Sequence, residues 1–168
     1  EDNNDRLYKS CSNKDGLSGS GWWANFPPKH HFETSASNLA FSKPAYPYGT
    51  DHGYGLRSEI GTATFPTFES IREFIPKEDW WPLPTDEQLK NDPNTVWNKH
   101  FFGKEAWNAK PIDYKKAVNE QFGESGSLEE FCEKAQLLNI EVVKGMYEAW
   151  NDKMWNDASG LLLWMSHP

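Results

Sequence analysis

Apolar and polar positions alternate unevenly along the chain, and the clearest period comes late. Leu128, Phe131, Ala135, Leu138, Val142, Met146 and Trp150 recur every three or four residues, the spacing of one helical face. Ser127 and Glu130 make a capping box at the start of this pattern, which predicts a long amphipathic helix ending near Asp152. The run SGLLLWM, residues 159–165, is continuously apolar, the pattern of a strand buried on both faces, here Gly160–Trp164. Gly55–Ile60 (GLRSEI) predicts a second strand, and Arg6–Ser10 (RLYKS) a third. TFPTFESIREFI carries helix-start signals: Thr64 as cap, Pro66 in the first turn, and Phe68, Ile71, Phe74 and Ile75 at helical spacing. A modest helix over Ile112–Phe122 and a short one near Asn94–Phe102 complete the regular elements.

Between them, Cys11–Tyr54 reads as loop, rich in Gly, Ser, Pro and aromatic residues, and Pro76–Ala109 as an irregular stretch containing WWPLP. Loops this long are functional or disordered, and the many rings argue against disorder. Strand, helix, strand with long crossings implies parallel βα units.

Charge and composition narrow the function classes. With 25 Asp+Glu against 17 Lys+Arg, the net charge of −8 argues against nucleic acid or an anionic membrane as partner. No run of 18 apolar residues exists, so no helix is expected to span a membrane. The opening EDNNDRLYKS has no Met and no apolar signal-peptide core, and reads as a cut start. Cys11 and Cys132 read as free thiols, Cys132 on the apolar helix face. Nine Trp, ten Phe and six Tyr stand in a chain of mean hydropathy −0.82. Such rings suit stacking on pyranose C–H faces, and equally suit filling a large core and its loops.

Glu59 raises the chemical question. It lies late in its predicted strand, just before Gly61, and a charge there must be paired, solvated or functional. Arg57, two residues away, shares its face in a regular strand, so an Arg57–Glu59 ion pair is the plain structural alternative. The wording around it, SEIGTATFPTFESI, resembles the nucleophile strand of glycoside hydrolase family 2. EEFCEKAQLLNIEVVKGMYEAWNDKMWNDASGLLLWMSHP resembles that family's last barrel helix and eighth strand, with FCEKAQL and SGLLLWM closest to its exo-β-glucosaminidase and β-mannosidase branches. The match covers roughly Gly55–Phe74 and Leu128–Pro168, two separated motifs in the family's order.

The resemblance implies an α/β fold, part of a (β/α)8 TIM barrel, with the three strands as its sixth to eighth. Residues 1–168 would then be the C-terminal part of a glycosidase catalytic domain, truncated at both ends, since a whole barrel needs about 250 residues. Glu59 matches the nucleophile of a retaining hydrolysis, and Trp164 the tryptophan flooring the sugar subsite. Arg57 would help keep Glu59 ionised. After Trp164 the family often reads Gln-x-Asn-Asp, whereas this chain reads Met165-Ser166-His167-Pro168, with His167 as a substitute sugar contact. The family's acid/base lies on an earlier strand, and no wording here resembles it, so the fragment alone is expected to be inactive. The implied partners are a carbohydrate and the remainder of the same polypeptide, whose absence would leave apolar surface uncovered. No cofactor is implied. Polysaccharide breakdown is associated with extracellular or periplasmic places, and the localisation expectation rests on that association alone. Alternatives are a β-galactosidase or β-glucuronidase of the same family, or a non-catalytic sugar-binding domain.

Other candidates weigh less. Asp51, His52 and Tyr54, in PYGTDHGYG, sit where loops wall such a site. His30-His31 lacks a spaced ligand set for a metal and reads as a polar loop. Trp80-Trp81 reads as a loop anchor rather than a sugar platform. SNKDGLSGSG has neither the P-loop nor the nucleophile-elbow order and reads as a flexible loop at the subsite rim.

Overall fold

The computed structural model describes residues 18–20, 27–33, 55–61, 64–100, 112–156 and 158–164. The chain divides into two units, one comprising Glu1–Trp22, Pro28–Gly61 and Gly145–Pro168, the other Trp23–Pro27 and Thr62–Lys144. The first carries a sheet and is taken first.

Its strands are β1 (Ser18–Ser20), β2 (Gly55–Ile60) and β3 (Ala158–Leu163), in the order β1-β2-β3. Both pairings are parallel, as βα units require. The class is thus mixed α/β with a small open sheet. β2 has the bounds its pattern predicts. β1 corrects the flexible-loop reading of SNKDGLSGSG: Ser18, Gly19 and Ser20 pair with Leu56, Arg57 and Glu59. Small residues carry no strand propensity, but the backbone ladder does not need it. Arg6–Ser10, the expected strand, lies outside the described residues.

α1 (Pro28–Glu33) also falls in the segment read as loop. Pro28 takes the first helical position, where a missing N–H is tolerated, but KHHFE has no apolar period to announce a helix. The polar-loop reading of His30-His31 is corrected accordingly: His31 lies on this helix and is fully buried. A Cβ at Gly145 would come within 2.8 Å of Pro28 Cβ, 2.9 Å of Pro28 Cα and 3.5 Å of His31 Cδ2. Only glycine admits so close an approach.

β3 differs from its expectation. Ala158 is buried, but Leu162 is 58% exposed and the strand alternates between partly covered and open positions. An apolar run reports that a strand prefers burial, not that both faces are covered by the described residues. Gly160 has its own reason, since a Cβ there would meet Leu56 Cδ1 at 2.7 Å. Before β3 the chain turns through Trp155, at φ 72° and 88% exposed, whose N–H donates to Ala158 O at 2.9 Å.

The helical unit contains α2 (Phe68–Ile71), a 3₁₀ turn at Lys77–Asp79, α3 (Asp86–Asn91), α4 (Val96–Lys99), α5 (Ile112–Phe122) and α6 (Leu128–Lys153) as far as Lys144. Every seam residue predicted for α6 is buried. Ser127 Oγ accepts from Glu130 N–H at 3.2 Å, while the Glu130 carboxylate accepts from Gly126 N–H and pairs with Lys134 at 2.8 Å. These contacts hold the Glu130 carboxyl below its usual range, the Lys134 bond most of all.

α2 starts later than expected. Pro66 biases Phe65 away from helical backbone, and Thr67 rather than Thr64 is the cap, accepting from Ser70 N–H. Of the stretch Pro76–Ala109, the described part to His100 is less irregular than its sequence implies. Thr85 and Gln88 form a complete capping box for α3, and α4 answers the expectation of a short helix near Asn94–Phe102. Buried Asn98 joins the two, its Nδ2 donating to Leu89 O and Asp92 O, each at 2.7 Å.

The core of this unit is aromatic. Phe65 lies edge-on to Phe131 at 4.9 Å between centroids, stacked with Trp97 at 6.4 Å and tilted to Tyr114 at 6.2 Å. Such pairs add about 0.5–1.5 kcal/mol each beyond burial. Two indoles are tied down as well: Trp80 Nε1 donates to Ile75 O and Trp97 Nε1 to Asp79 O. Trp80 is therefore a loop anchor, as expected, and Trp81 stays 38% exposed. Cys132 is a buried free thiol; burial, then Glu69 and Glu129, push it up to about 12.

Candidate functional site

Glu59 stands one residue before the end of β2, and the ladders on its two sides are out of step with it. From Arg57 to Glu59, β2 advances two residues while β1 advances only from Gly19 to Ser20. From Arg57 to Ile60 it advances three while β3 advances two, from Leu161 to Leu163. Both neighbours therefore count one extra residue in β2, a bulge between Arg57 and Ile60. Burial agrees. Arg57 is 4% exposed and Ile60 fully buried although three positions apart, which a two-residue alternation does not give.

The bulge breaks the regular alternation from which a shared face for Arg57 and Glu59 was expected. Arg57 belongs to the interior, where desolvation lowers its pKa from the ordinary arginine value. Glu59 is only partly buried. Bulges re-aim side chains and are common beside active sites, and this one falls at the candidate carboxylate.

Trp164 follows β3 directly. Its N–H donates to Ile60 O at 2.8 Å, so the backbone one residue beyond Glu59 is tied to the residue that carries the indole. The Trp164 side chain is 53% exposed. A partly buried carboxylate and an open indole thus stand at the carboxyl ends of adjacent parallel strands, the end at which α/β folds place ligands. A carboxylate there can act on an electrophilic carbon, and the ring offers an apolar plane to a sugar face.

Ser20, paired with Glu59 across the β1 ladder, is a neighbour the sequence reading passed over as loop. Its signal, small residues in Gly-Ser-Gly, is shared with true loops. Asp51, His52, Tyr54 and His167 lie outside the described residues. Among the described residues no group of three His, Cys, Asp or Glu side chains is arranged to hold a metal ion.

Curated relatives match across much of the chain. It is 32% identical over 123 residues to a mannosylglycoprotein endo-beta-mannosidase of Lilium longiflorum, 67% of this chain and 12% of that protein. It is 30% identical over 132 residues to an exo-beta-D-glucosaminidase of Arthroderma benhamiae, 74% of this chain and 14% of the relative. An exo-beta-D-glucosaminidase of Hypocrea jecorina is 24% identical over 158 residues, 89% and 15% respectively. The chain is a distant, partial homologue of glycosidases. The chain spans 12–15% of the length of these relatives. No protein-family model matches the chain, and no solved structure matches it.

Proposed function

We propose that this chain is the C-terminal part of the catalytic barrel of a retaining, exo-acting β-glycosidase of family 2, removing terminal β-linked glucosamine or mannose. Glu59 is the nucleophile and Trp164 the floor of the sugar subsite. The observation that supports this reading is the backbone hydrogen bond from Trp164 N–H to Ile60 O, which ties the residue after Glu59 to the residue that carries the indole, at the carboxyl ends of β2 and β3. Two exo-beta-D-glucosaminidases among the relatives support the substrate class.

In this mechanism Glu59 attacks the anomeric carbon and forms a glycosyl ester. A second, protonated carboxyl about 5–5.5 Å away gives its proton to the leaving oxygen, then deprotonates the water that hydrolyses the ester. A rigid strand end holds the nucleophile near its target better than a loop would. The acid/base is assigned to an earlier strand of the same polypeptide, in keeping with the family resemblance. In the complete gene product, Glu59→Gln is expected to lower turnover by orders of magnitude. A 2-fluoro glycoside should label the peptide containing Glu59. Retained turnover in the variant, or a label on another peptide, excludes the assignment.

The relative from lily favours a second reading, an endo-β-mannosidase. Products separate the two: an exo enzyme releases single sugars from chain ends, an endo enzyme releases oligosaccharides.

A further inference from the structure

Trp155 stands at the turn between α6 and β3, 88% exposed and at φ 72°, two unfavourable conditions carried by one side chain. The left-handed region is costly for a residue with a Cβ, and chain turns that use it favour glycine or asparagine. Hydrogen bonds hold the conformation on both sides. Trp155 N–H donates to Ala158 O at 2.9 Å, Asn156 N–H to Lys153 O at 3.1 Å, and Met154 bridges to Ala158. The indole is thus presented from a fixed turn. Its sequence neighbours Asn151, Asp152 and Asn156 are exposed and polar, and Asp152 pairs with Lys153 at 2.8 Å. One aromatic ring in a polar surround is the make-up of an interface anchor. We infer that Trp155 is the anchor by which another segment of the same polypeptide docks at the amino end of β3, the indole filling an apolar pocket of that segment.

Position and area choose the occupant. β3 is six residues long, so Trp155 and Trp164 flank it at opposite ends, about 20 Å apart. A ring at the amino end is out of reach of a sugar held by Glu59 and Trp164, and a segment docked there leaves the carboxyl ends of the strands open. Two separate copies need about 800 Å² per partner to stay together, whereas the turn offers a single indole. A tethered segment needs far less, because the chain itself sets its effective concentration. The relatives are several times the length of this chain. That such a segment exists rests on the proposed reading of the chain as part of a longer enzyme; that Trp155 is what it covers rests on the turn.

The test is hydroxyl-radical footprinting of the complete gene product, with its proteolytic digest as the uncovered reference. Trp155 is expected to oxidise at least about tenfold more slowly in the folded product than in the digest, whatever the protein concentration. Trp155→Gly gives a second reading, because it removes the ring and the backbone strain together. A free ring predicts an unchanged or higher transition temperature in that variant. A docked ring predicts one lower by about 2 °C or more. Oxidation at the digest rate, or a transition temperature that does not fall, overturns the inference. Protection that grows with protein concentration assigns the turn to a second copy, and protection that needs added oligosaccharide assigns it to a glycan; each overturns it as well. Turnover retained by Glu59→Gln would instead remove the nucleophile assignment and leave the footprint standing.

Discussion

In the helical unit, Phe65 touches the rings of Trp97, Tyr114 and Phe131, and the indole N–H groups of Trp80 and Trp97 end on carbonyls of the same unit. In the sheet unit, Leu56, Leu162 and Trp164 stand open. The contrast separates two uses of apolar side chains. The helical unit satisfies Phe65, Trp80 and Trp97 from within, although Phe74 and Trp81 stay partly exposed. The sheet unit encloses Trp150 but presents Leu56, Leu162 and Trp164, and what covers these, sugar or polypeptide, decides how they are used.

The sharpest way to break this contrast is truncation of an enclosed ring. Phe131→Ala is expected to cost about 3–5 kcal/mol in urea unfolding, and a loss under about 1 kcal/mol would mean that the aromatic core is not what holds the helical unit. Next comes the close approach in the sheet unit. Gly145→Ala should cost about 1–3 kcal/mol, because its methyl meets Pro28 backbone rather than a movable side-chain tip; unchanged stability would mean that α1 does not pack there.

Cys132 gives a pH-dependent test of enclosure. Its folded value of about 12 lies above the ordinary 9.0, so its contribution is complete below pH 9 and is lost as pH rises toward 12, when the unfolded chain ionises first. The melting temperature should fall more steeply across that window in the wild type than in Cys132→Ala, and equal slopes would contradict burial of the thiol. The smallest effect belongs to the open face: Leu162→Ser should change stability by under about 0.5 kcal/mol, and a large loss would show that this leucine is covered.

What could be read from sequence follows from how each element declares itself. α6 was legible because its buried side chains repeat along its whole length, and α5 and β2 have the bounds expected of them. α1 and β1 were not: KHHFE has no period, and Ser-Gly-Ser pairs through backbone alone. The capping box Thr85–Gln88 stood in the sequence and marked α3, but WWPLP beside it drew attention to loop. At the candidate site, Glu59 and Trp164 were found by resemblance. The bulge was not, because no proline or glycine within Arg57–Ile60 announces it.

The unequal count in β2 makes this strand a place where chain length, rather than side-chain chemistry, governs direction. Removing Ser58 would take out the residue that β2 counts in excess between Arg57 and Ile60, and one side of the cut would have to exchange inward for outward positions. A single-codon deletion here would thus act as a toggle on where an unaltered carboxylate points. Alignments of related chains across this strand therefore have to be anchored on Arg57 and Ile60, three apart and both buried, before any carboxylate is matched between them.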